Sequence, residues 1–113
     1  MKLNNLQIIN IYNIIKNKYN HIDDIKTKWK VIGLFEEVFN VYQRFETEKN
    51  NIIQEYGKED KETGQKSLDG NDKHFKELLM CETDVTPIML DNIDDIGLSF
   101  EELMILKPII VDK

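Results

Sequence analysis

The residues best placed for metal chemistry are His74, Glu77 and Cys81, which fall on one helical face at i, i+3 and i+7. Imidazole, carboxylate and thiolate are all zinc ligands, but a closed site takes four donors, and only distant His21 or an unidentified carboxylate supplies another. A lone helical cysteine reads first as a small buried apolar side chain. The run Asp91, Asn92, Ile93, Asp94, Asp95 gathers carboxylates as a calcium loop does, yet lacks that loop's glycine and closing glutamate. The pairs Glu36/Glu37 and Glu101/Glu102 are sequence neighbours on helices, so they do not face each other and cannot divide acid and base roles. The chain has no glycine-rich phosphate cradle and no nucleophile in a recognisable triad context. No catalytic, cofactor-binding or metal residue is assigned, and the expectation is a protein that is not an enzyme and needs no cofactor.

The elements carrying these residues are mainly helical. From Ile22 to Tyr56 the apolar positions Ile22, Ile25, Trp29, Ile32, Phe35, Phe39, Tyr42, Phe45, Ile52 and Tyr56 recur at the three-and-four spacing of one helix. Such a helix runs roughly 50 Å, against a radius of gyration near 13 Å for a compact chain of about this size, so the spacing predicts an elongated molecule or one completed by a partner. A second set, Val31, Leu34, Val38 and Val41, lies on a rotated face, so the Trp29 to Phe45 segment is expected to be core packed on more than one side. Gly33 in this stretch either permits close helix approach or marks a kink. The turns beyond Glu46 keep only Ile52 and Ile53 and are expected to project.

Before the long helix, Asn5 to Lys18 forms a first helix with a wide apolar arc, and Asn20 or Asp23 caps the next. The two fold back as a hairpin. Gly57 ends the long helix, and residues 57–72 form a projecting polar tip with a weak two-stranded signal turning near Thr63 and Gly64. Asn71 or Asp72 caps a third helix at about 73–81, Thr83 to Leu90 is an extended segment interrupted by Pro87, and Ser99 with Glu102 forms a capping box for a helix at about 100–107 that Pro108 ends. The fold class is all-α, an elongated helical hairpin in a single domain over 1–113.

Composition narrows the partners. The chain carries a net charge of −6, yet residues 1–32 hold six lysines against Asp23 and Asp24, leaving the acid to the rest. Glu82 to Met104 holds seven acids and no lysine or arginine, and Arg44 is the one arginine, which argues against direct nucleic-acid binding. One cysteine needs no oxidising compartment, and Asn5, Asn10, Asn13 and Lys16 interrupt the N-terminal isoleucines, so neither signal peptide nor membrane span is expected. Alanine is absent, so the helices depend on packing rather than intrinsic propensity.

The run Ile53 to Asp60, with Gly64, then Phe75, Lys76, Glu77, Leu78 and Leu79, and finally Ile96 to Ile110 with Leu98, Ser99, Leu103 and Leu106, resembles a family of small uncharacterised tailed-phage proteins. These share a long helix ending in an EYG-x-x-D tip, an acidic insert, a short F-x-E-L-L helix and a closing L-S-x-E-E-L segment. Cys81 and Glu82 stand where that family is more uniformly acidic. The resemblance implies a phage origin, hence the host cytoplasm during infection or the virion, and it brings no catalytic residues. Together these readings predict a protein-interaction protein, a small structural or assembly subunit that forms a homo-oligomer through its helices. The alternative is an inhibitor of a host defence system, acting as an acidic nucleic-acid mimic or as a sponge for a nucleotide signal at Lys26, Lys28, Trp29 and Lys30. A protein partner, from the phage structure or the host defence, is expected at Ile52 and Tyr56 and at the acidic positions Asp91, Asp94, Asp95, Glu101 and Glu102.

Overall fold

Side chains that satisfy backbone N–H groups set where the helices begin. The Asn4 side chain accepts from the Gln7 N–H and the Gln7 side chain accepts from the Asn4 N–H, both at 2.9 Å, a reciprocal cap that starts α1, Asn5–Lys18. A 3-10 turn at Tyr19–His21 reverses the chain, and Asp24 opens α2, Ile25–Tyr56, by accepting from the Thr27 N–H at 3.0 Å and the Thr27 hydroxyl at 2.6 Å. Asp72 caps α3, Lys73–Met80, and the expected Ser99 and Glu102 box caps α4, Phe100–Leu106. These features come from a computed structural model that describes residues 1–69, 71–90 and 96–112.

The molecule is mainly helical and elongated, 53 × 27 × 23 Å with a Cα radius of gyration of 16.7 Å. The long helix starts three residues later than its apolar repeat, because Ile22 is buried in the turn before it. Gly57 ends it with a hydrogen bond to the Ile53 carbonyl at 2.8 Å. At φ −70° Gly57 is not left-handed; glycine is required because a Cβ there would press into the Ile53 carbonyl and Ser67.

Among the described residues six short strands accompany the helices: β1 Lys2–Asn4, β2 Lys58–Glu59, β3 Lys66–Ser67, β4 Glu82–Asp84, β5 Ile88–Leu90 and β6 Ile110–Asp112. They form three two-stranded ladders, β1 antiparallel to β4, β2 antiparallel to β3, and β5 parallel to β6. Pro87, which cannot donate to a ladder, lies between β4 and β5 and divides the expected extended segment into strands with different partners. Isolated pairs this small are marginal in water, so they act as clasps on the helical body. A further clasp is Asn5, buried, whose Nδ2 donates to the Leu78 carbonyl at 2.7 Å and whose N–H donates to the Cys81 carbonyl at 3.1 Å.

The core is one cluster of Leu3, Ile8, Ile11 and Ile15 from β1 and α1, Val31, Leu34 and Val38 from α2, and Val85, Ile96, Leu106, Ile109 and Ile110 from the C-terminal third. On α2 the buried residues are Thr27, Val31, Leu34, Val38, Val41 and Phe45. The rotated set is therefore the core stripe, while the start of the main stripe faces water. Trp29, expected in the core, is 76% exposed, because α1 packs on α2 along Tyr12 and does not wrap around to the outer side.

The Asp24 carboxylate is held below its ordinary range by the hydrogen bonds from the Thr27 side chain first and its backbone N–H second. A carboxylate depressed in the folded state gives stability that is complete above the unfolded value near 4 and is lost as pH falls through the lower folded value. Urea midpoints measured from pH 5 to 2 are expected to fall less steeply in Asp24→Asn, which keeps a capping acceptor without titrating.

Candidate functional site

Three flanks of α2 face different surroundings. One is the core stripe. A second is covered by α1, whose Tyr12 ring lies 4.1 Å from Tyr42 at an interplanar angle of 8°, 5.6 Å from Phe35 and 6.0 Å from Phe39; Tyr19 extends the stack onto Phe35. Burial of Tyr42, with the nearby Glu46 charge second, raises its phenol above the ordinary value. On the opposite flank the β4–β5 segment is tied down by Arg44 donating to the Thr83 hydroxyl at 2.9 Å and by the Thr86 N–H donating to Glu37 at 2.8 Å.

Between those flanks lies the outer face of α2, uncovered by the described residues except at Phe39, which Tyr12 also touches. It begins with Ile25, 75% exposed, and Trp29, continues through half-buried Ile32 and exposed Glu36 to half-buried Phe39, and ends at Gln43 and Glu46. These positions follow a four-three-four-three spacing, the seam of a helix that pairs with another helix. Lys26, Lys28 and Lys30 surround its apolar start, whereas Glu46 and Glu48 occupy its far end. Gly33 lies on the edge of this face, and a Cβ built there meets nothing within 4 Å, so within the chain it neither lets another element approach nor relieves a clash. Gly33→Ala is therefore expected to raise the stability of the isolated chain by about 1 kcal/mol, read from its urea midpoint at a concentration that keeps copies apart.

The residues expected to bind a partner are dispersed. Tyr56, 46% exposed, stacks on His74 with ring centroids 3.7 Å apart and an interplanar angle of 6°, and its phenol is raised chiefly by the Glu55 charge. Ile52 is half-buried nearby. Glu102 sits at the other end of α2, beside Lys18 at 3.4 Å, and its carboxylate is lowered first by the hydrogen bond from the Ser99 N–H; Glu101 is exposed in the same turn. Asp91, Asp94 and Asp95 lie outside the described residues. The turns beyond Glu46 pack beside α3 and the β2–β3 hairpin, with Phe45 6.4 Å from Phe75 and the Lys66 ammonium donating to the Gln54 carbonyl at 2.9 Å.

The helical triplet does not assemble. His74 Nδ1 is 3.5 Å from Asp72, Glu77 pairs loosely with Lys73 at 4.0 Å, and Cys81, expected to be buried, is exposed just past the end of α3 with its thiol on the Glu77 carbonyl. No group of three His, Cys, Asp or Glu able to hold a metal ion occurs among the described residues. Nor, among those residues, is any helix long and apolar enough to cross a membrane. A second exposed apolar group, Phe100 and Met104, lies on α4. The chain matches no protein family, no curated protein and no solved structure.

The outer α2 face escapes a reading of the sequence because its apolar residues belong to the repeat that reads as core. Its signal lies in Glu36 and Gln43: where Phe35 and Tyr42 step one position toward α1, the strict seam positions are polar.

Proposed function

We propose that this chain is a non-enzymatic protein-interaction subunit, a small structural or assembly component of a phage particle, that works by associating with further copies of itself through the outer face of α2. The observation that carries the reading is the exposure of Ile25 and Trp29 at the start of a seam, where no element among the described residues covers them. Large apolar side chains left in water at helix-pairing positions gain burial when another helix covers them. The tip and closing motifs that resemble the tailed-phage family support the origin, with action in the host cytoplasm during infection or within the particle. Light scattering on the purified protein at micromolar concentration tests the self-association. A dimer or larger assembly is expected; a stable monomer overturns the reading. A pull-down from infected cells is expected to recover particle proteins, and recovery of host defence proteins alone would replace the assembly role with an inhibitory one.

A further inference from the structure

We infer that the partner on the outer face of α2 is a second copy lying antiparallel to the first, related by a two-fold axis that crosses α2 between Gly33 and Phe39. The inference rests on the self-association proposed above and adds its orientation. The seam is polar in charge as well as apolar in content: Lys26, Lys28 and Lys30 crowd its first turns with no acid from Ile25 to Ile32, while its far end carries Glu46 and Glu48, with Arg44 turned to the Thr83 hydroxyl and Lys49 paired to Glu46. Parallel pairing sets lysines against lysines at one end and glutamates against glutamates at the other. Antiparallel pairing sets Lys26 and Lys28 against the partner's Glu48 and Glu46, twice in every dimer, which is the charge complementarity that fixes register and orientation in paired helices.

The spacing suits a two-fold. Lys28 and Glu46 lie on the same flank of α2 and are separated by about 27 Å of helix, so a rotation about its midpoint, close to Glu37, exchanges one for the other. The same rotation carries Trp29 onto the distal half of the partner's seam. It also brings Gly33 to within one residue's rise of the second copy's Asn40, where the missing side chain leaves room for close approach. Glu46 lies beside the Tyr42 phenol and 3.6 Å from Lys49 in the same helix, and the partly exposed Lys49 pair is one it can exchange at little cost. An isologous interface of this kind closes at two copies.

Charge exchange tests the orientation. The double variants Lys26→Glu/Lys28→Glu and Glu46→Lys/Glu48→Lys are each expected to weaken the dimer at least tenfold in sedimentation equilibrium at low salt, and combining all four substitutions is expected to restore affinity to within a few fold of the parent. Far-UV circular dichroism and the urea midpoint of each variant, taken at a concentration where it is monomeric, establish that it folds. Failure of the combined variant to recover, or double variants that bind as the parent does, overturns the antiparallel arrangement. A monomeric parent protein overturns the self-association reading itself, so the two failures are told apart.

Discussion

Leu34→Ala is expected to lose about 2–5 kcal/mol of folding stability, a loss at the upper end for a single substitution. Leu34 is fully buried where α1, α2 and α4 meet, lining a void of about 10 Å³ together with Ile14, Ile15, Val31, Leu106 and Ile110. The void is too small to relax into the space a leucine leaves, and its walls come from elements held by clasps on two sides. Most of the transfer and cavity terms are therefore retained as a loss. For a domain whose net stability is of order 10 kcal/mol this is a large fraction. Urea unfolding at a concentration below any self-association is expected to show a lower midpoint with an unchanged slope, because association would otherwise add to apparent stability.

Trp29→Glu is expected to do the reverse on the same helix. With its ring in water, replacing it changes folding stability by no more than about 0.5 kcal/mol. At the seam, by contrast, a tryptophan is the side chain most able to carry binding energy, and its loss there costs about 2 kcal/mol or more, or roughly thirtyfold in the dissociation constant. Sedimentation equilibrium beside a urea titration separates the two quantities. A variant that loses stability yet associates normally would place Trp29 in the core after all and remove the basis for the α2 surface.

The contrast between these two residues shows how far the chain can be read unaided. The helix boundaries at Asn5, Lys18, Tyr56 and Ser99 are legible because caps and breakers act within three or four residues, and the α4 box is present as its spacing requires. The choice between two apolar stripes on α2 is not legible. Both have helical spacing, and which is buried depends on where α1 and the 83–86 segment dock, a matter settled by residues far away in sequence. Strands β1 and β6 escape for a related reason: three residues carry no periodicity, and each is defined only by its partner, whereas the turn near Thr63 and Gly64 and the extended stretch on either side of Pro87 are legible without their pairings. Of the candidate surface, Glu102 is legible in its local role as the closing member of the α4 cap, whereas Tyr56 is recognisable as an amphipathic position but not for its stacking on His74.

The clasps also govern the order in which the molecule assembles. The α1–α2 hairpin joins near neighbours and can form early from contacts within the first half of the chain, at small loop-closure cost. It cannot be finished there, because Leu3 and Asn5 meet their partners only when Leu78, Cys81 and Thr83 arrive, and the β5–β6 pair joins residues over twenty positions apart. Until then Ile8 and Ile11 lack part of their covering and the edge of β1 is open. During synthesis the emerging chain therefore passes through a half-built helical hairpin with apolar residues and a strand edge exposed, the stage at which a small protein is most vulnerable to aggregation and proteolysis.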